Sequence, residues 1–109
     1  MKTQQLLQSE IHIGGHQTIN PEEVVRLQAD VNYTTVYFAN GKKTLVATTL
    51  KSMESRFGSF PKFVRINKSV IINIDCIRKK DEEKITLQNG ETFIASRRRK
   101  KAVFELMKF

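Results

Sequence analysis

Two Asn-Gly pairs, Asn40-Gly41 and Asn89-Gly90, constrain the fold of this chain more than any other feature of its sequence. Tight hairpin turns demand a positive φ that Asn and Gly tolerate, so each pair predicts two antiparallel strands joined back to back. The flanking residues agree. Thr34-Thr35-Val36-Tyr37-Phe38 is β-branched and aromatic, and Lys43 to Ala47 supplies its return strand. Ile85 to Gln88 and Thr92 to Ala95 flank the second pair in the same way.

Elsewhere the pattern is again one of short elements. Residues 1–10 are polar and predict a mobile tail, and Ile11 and Ile13 around His12 predict a brief strand closed by Gly14-Gly15. Asn20-Pro21-Glu22-Glu23 has the grammar of a capped helical turn: an Asn cap, Pro at the first helical position, then acids facing the positive end of the dipole. Val25, Leu27 and Ala29 then alternate with Arg26 and Gln28 at strand period. Thr48 or Thr49 caps a helix whose Leu50, Met53 and Phe57 share one face, and Gly58 ends it. Beyond Pro61, Phe63 to Ile66 and Val70 to Ile74 read as strand pieces around Asn67-Lys68-Ser69, and Lys79 to Lys84 as a charged turn. Ser96 caps a final helix with Ala102, Val103, Leu106 and Met107 as its buried stripe. The expected fold is mainly β, short antiparallel sheets with two small α-helices. Residues 1–18 form a tail and short strand, and 19–109 the domain.

Charge decides which partners such a fold meets. The 109 residues carry a formal charge of +8, and its distribution is uneven. Residues 1–60 are nearly balanced at +1, whereas residues 61–109 carry +7. The second half is therefore the electrostatic footprint, and a polyanion its partner. Cys76 is the only cysteine and sits in the apolar run Ile71 to Ile77, where it reads as a small core residue. It supports no disulfide framework and no zinc knuckle, and no apolar run has the length of a membrane span. A cytoplasmic protein with no membrane contact is the expectation.

Signals for catalysis are weak. His12 and His16 lack a neighbouring carboxylate or thiolate and read as turn histidines, Glu22 and Glu23 are explained by capping, and Gly14-Gly15 lacks the spaced glycines and Lys of a phosphate loop. No enzymatic activity, metal or cofactor is expected. The basic run Arg97-Arg98-Arg99-Lys100-Lys101 is different. A strand precedes it and an amphipathic helix follows, so the loop is held in place. One guanidinium can then be aimed at a guanine edge while its neighbours grip phosphate.

Several segments together resemble the LytTR (LytR/AlgR-type) DNA-binding domain of bacterial transcription regulators, from about Ile19 to Lys108. They are Gln28-Ala29-Asp30-Val31-Asn32-Tyr33-Thr34, Thr49-Leu50-Lys51-Ser52-Met53-Glu54, Phe63-Val64-Arg65-Ile66-Asn67-Lys68-Ser69 with Val70 to Asn73, and Asn89-Gly90 followed by Ser96-Arg97-Arg98. The resemblance implies an elongated core of short sheets whose loops, rather than a recognition helix, enter successive major grooves of double-stranded promoter DNA. It places base contacts at Thr34, Lys68 and Arg98. Asn32, Tyr33, Asn67, Ser69, Ser96, Arg97 and Arg99 would grip the backbone or support the loops. The family's usual His-Arg is Asn67-Lys68 in this chain, which changes the chemistry offered to bases in the middle loop, since Lys is a point charge without the fork of Arg.

Regulators of this family usually carry a receiver domain ahead of the DNA-binding part, and the residues before the match are too few to fold into one. A free-standing domain, favoured by Met1, or an excised piece of a longer regulator is the expectation. The upstream signalling partner stays unidentified, and a homodimer on repeated sites is compatible with the reading. The rival function is an RNA-binding β-domain in which Tyr33, Tyr37, Phe38 and Phe63 stack on bases. A protein-interaction adaptor with an incidentally basic surface is the third.

Overall fold

The computed structural model describes residues 10–106, and within them ten strands form three antiparallel sheets. In chain order these are β1 (Ile11–Gly14), β2 (Gln17–Ile19), β3 (Val24–Asp30), β4 (Tyr33–Phe38), β5 (Lys43–Val46), β6 (Phe63–Asn67), β7 (Val70–Asn73), β8 (Ile77–Asp81), β9 (Lys84–Leu87) and β10 (Thr92–Ile94). Helix α1 (Leu50–Arg56) lies between β5 and β6, and α2 (Arg97–Leu106) follows β10. The expected tail, residues 1–9, and Met107 of the expected helical stripe lie outside the described residues.

A five-stranded sheet of order β5-β4-β3-β7-β6 is the frame. The connection carrying α1 takes the chain from one edge of that sheet to the other. Both faces are covered over its middle, which is why Val70, Ile71 and Ile72 are consecutive buried residues rather than an alternation. On one face Leu27, Val36 and Ile71 meet Leu50, Met53 and Phe57 of α1 and Ile11 and Ile13 of the β1-β2 hairpin. On the other, Val64, Ile66, Val70 and Ile72 meet Ile85, Leu87, Ala95 and Val103 of the β8–β10 sheet and α2. The principal extents, 41 × 34 × 24 Å, describe an elongated body.

Local signals act as the sequence predicts at most joints. Asn20 Oδ1 accepts from Glu22 N at 2.9 Å and caps a 3-10 turn over Pro21–Glu23. Thr49 caps α1, its Oγ1 accepting from Ser52 N at 3.2 Å. Asn40 and Asn89 each accept from the backbone two residues on, closing both predicted hairpins.

Ile11 and Ile13 of the N-terminal segment are buried in the first core, and Thr48 Oγ1 donates to the Ile13 carbonyl at 2.7 Å. Three expectations change. The charged segment from Lys79 is not all turn: β8 runs to Asp81, leaving Glu82-Glu83 as the turn. As an edge strand β8 pairs through its backbone while its charges face water, which also guards the edge against further pairing. In α2 Val103 is buried and Phe104 half-buried, whereas Ala102 faces solvent. Finally, a bulge between Val24 and Arg26 sends Val25 and Arg26 to the same face, so that Arg26, not an apolar residue, is buried there.

Candidate nucleic-acid interface

The antiparallel order brings two turns to one end of the central sheet. The last residues of β3 run beside the first of β7, pairing Gln28 with Val70, and Ala29 N donates to Ser69 O at 2.8 Å. The β3-β4 turn (Val31, Asn32) and the β6-β7 turn (Lys68, Ser69) therefore project side by side. The third segment is fastened to the second. Ser96 N donates to Ile66 O at 2.8 Å, and Asn67 Nδ2 donates to Ile94 O at 2.8 Å. Between them lies an open groove of about 660 Å³, lined in part by Asn67, Lys68, Ser69, Ser96, Arg98 and Arg99. Six of the ten expected site residues thus share one concavity.

The middle turn is held from below. Arg65 Nε donates to Asn67 O at 3.2 Å and Nη2 to Lys68 O at 2.7 Å, while Asn67 Oδ1 accepts from Ser69 N at 2.7 Å. Arg65 Nη1 also pairs with Glu54 Oε1 of α1 at 3.0 Å, and the other oxygen of Glu54 receives Arg99 Nη1 at 3.4 Å. Burial pushes the Glu54 carboxyl up, but the hydrogen bonds and charges of Arg65 and Arg99 outweigh it and hold the group below the usual carboxylate range. One acid thereby ties the middle turn to the basic segment. Arg65 and Glu54 carry this support, yet nothing in their local spacing marks them; only the outward alternation Phe63, Arg65, Asn67 along β6 hints that Arg65 lies beneath the turn.

Structure also separates structural cations from available ones. Arg26 is 7% exposed and forks onto Glu91 at 3.0 and 3.1 Å, with its guanidinium 3.8 Å from the Tyr37 ring centroid. That bond, against the opposing effect of burial, keeps the Glu91 carboxyl below its ordinary range and staples the β9-β10 turn onto the central sheet. Lys68, Arg97 and Arg98, by contrast, are exposed and have no ion pair among the described residues.

The basic segment is not a loop through Arg99: α2 begins at Arg97, and Ser96 Oγ accepts from Arg99 N at 3.3 Å as its cap. Five cations in the first turns oppose the positive end of the helix dipole. Folding alone does not favour them there, whereas an anion approaching that end meets both the charges and the free backbone N–H groups.

Thr34, expected at a base, is fully buried. Its Oγ1 donates to Thr48 O at 2.5 Å within the first core, because β4 turns that side chain inward beside Val36. Val31, Asn32 and Tyr33 are the exposed members of that loop. The aromatic platform of the RNA reading is not assembled either. Tyr37 lies under Arg26, Phe38 packs on the first core, and Phe63 meets Phe57 edge to face at 4.7 Å. Cys76 is half-buried, and burial followed by the Asp75 carboxylate pushes its thiol up, away from reactivity. His12 and His16 are exposed, and no cluster of metal-ligating side chains occurs among the described residues. None of the described helices is long and apolar enough to cross a membrane.

Comparison with known proteins agrees with this geometry. A solved structure, the LytTr DNA-binding domain of a Bacillus cereus protein described as a methyl-accepting/DNA response regulator, superimposes with a TM-score of 0.71 over 92% of this chain and 95% of that one, at 18% identity. No curated protein matches at a significant level. The family model for the LytTr DNA-binding domain matches residues 15–108, which spans the central sheet, both helices and all three loop segments. The chain belongs to the LytTr DNA-binding domain family, whose work is DNA binding in transcription regulation.

Proposed function

We propose that this domain recognises a specific duplex sequence in promoter DNA, with its loops seated in successive major grooves. The observation that carries the reading is the fastened groove between Asn67-Lys68-Ser69 and Ser96-Arg98, with two exposed cations, Lys68 and Arg98, on its rim. Lys68 and Arg98 contact base edges. Asn67 and Ser96 spend their side chains fixing the loops, Arg99 is braced by Glu54, and Ser69 and Arg97 meet phosphate. The first loop contributes through Asn32 and Tyr33 rather than Thr34. A homodimer on repeated sites extends the same contacts along the helix, and the cytoplasm is where such a protein meets its promoter.

The salt dependence of duplex binding tests the reading. Neutralising about four to six phosphates gives a log K against log[salt] slope of roughly −4 to −5. A flat dependence removes DNA as the partner.

A further inference from the structure

The β3-β4 turn contains a residue that folding does not explain. Val31 has φ +58° and is 90% exposed. A left-handed φ is rare for any residue with a Cβ, and for a β-branched one it is a genuine outlier. Gly, Asn or Asp is what a two-residue hairpin prefers at such a position. The chain uses that chemistry elsewhere, with Gly15 at φ +58° and Gly41 at +89° in other turns. Two further non-glycine residues with positive φ, His16 and Glu82, are unbranched and polar, and their exposure in turns needs no partner. Among the described residues, Val31 alone combines strain, branching and an apolar surface held in water. It gains nothing from burial in the folded domain.

Its place supplies the reason. Ala29 is bonded to Ser69 of the middle turn, so Val31 stands two residues further out, about 7 Å at the rise of a strand. It is the most exposed large hydrophobic side chain among the described residues, at the end of the sheet that carries the middle turn. In the major groove, the feature of a base edge that an isopropyl group meets favourably is the C5-methyl of thymine. We propose that Val31 is a specificity-determining residue that packs on a thymine methyl while the neighbouring turn contacts the same duplex. This rests on the DNA reading given above. The left-handed turn aims the side chain outward, away from the sheet, and the strain persists because the contact with DNA rewards it.

The experiment removes the methyl group from the DNA and the isopropyl group from the protein. The protein first selects its site from a random duplex library. Each thymine of that site is then replaced singly by deoxyuridine, which lacks only the C5-methyl, and affinity is measured for the natural chain, Val31→Asn and Val31→Ile. The natural chain should lose about fourfold at one thymine per bound copy, the worth of one buried methyl group. Val31→Asn suits the left-handed backbone and should bind thymine and deoxyuridine duplexes equally at that position, while its thermal midpoint stays level or rises. Val31→Ile should keep the discrimination. Equal affinity of the natural chain for all substituted duplexes, or discrimination that survives in Val31→Asn, overturns the proposal. Failure to select any duplex would instead overturn the DNA reading on which it rests.

Discussion

Between Asn67 and Val70 the chain turns under four side-chain hydrogen bonds, two donated by Arg65, one donated by Asn67 and one accepted by it. Between Asp30 and Tyr33 it turns with strand pairing as its support, and it carries a strained valine at its tip. The two turns lie side by side on one sheet, and the family resemblance implied DNA contact for both. On the proposed DNA reading, their construction suits a division of labour. A turn whose carbonyls are gripped by a guanidinium has a fixed direction, which is what hydrogen bonding to a base edge requires. A turn without such a brace suits shape contact, where a methyl group on a methyl group tolerates small displacements.

Breaking the brace should have the largest effect. Arg65→Ala removes two charge-assisted bonds to loop carbonyls and leaves Glu54 with one partner, so urea unfolding should show a loss of about 2–3 kcal/mol. Specific DNA affinity should fall further than stability alone accounts for, when measured at a temperature where the variant is folded. Arg65→Lys should not restore it, because one ammonium cannot span two carbonyls and a carboxylate. An unchanged selected sequence in Arg65→Ala would show that the brace does not set the direction of Lys68.

Next in size is the loss of a single reading group. Arg98→Ala should weaken the selected site by about 1–3 kcal/mol and random duplex by much less, collapsing the ratio of the two affinities. Retention of that ratio would move base reading away from α2.

Acid gives a smaller and graded way to loosen the same turn. Glu54 titrates below the ordinary value of 4.5, so its stabilising contribution is fully present above that pH and is lost as pH falls through the depressed folded value. Glu54→Gln should flatten the stability profile below pH 4.5 and leave it unchanged near neutrality apart from a constant offset. Amide exchange of Ser69 should accelerate in acid more than that of Tyr33, relative to each site's intrinsic rate. Equal responses would deny the middle turn its special dependence on this carboxylate. Smallest of all, Lys101→Ala on the exposed side of α2 should lower the salt slope by about one and leave the affinity ratio intact. Binding at matched salt to selected and random duplexes checks it.

What the sequence determined by itself is what short-range chemistry controls. Asn40-Gly41 and Asn89-Gly90 dictate hairpins because their backbone preferences act within four residues. Asn20 and Ser96 mark helical starts for the same reason, Thr48 or Thr49 marks a third that the structure assigns to Thr49, and the face Leu50, Met53, Phe57 is read from period alone. The middle turn and the basic run were legible as a pair, through their polarity and their family spacing. Tertiary structure decided the rest. The resemblance placed Thr34 at a base; strand alternation has two phases, and the packing of β4 in the first core chose the inward one. Arg26 looked solvated until a bulge turned it beneath the β9-β10 turn to meet Glu91, 65 residues away. Arg65 and Glu54 come together across a helix and a strand 11 residues apart, and Arg99 joins them from 45 residues away. Such contacts leave no periodic trace, because a hydrogen bond needs only that its two groups meet in space, whatever the length of chain between them.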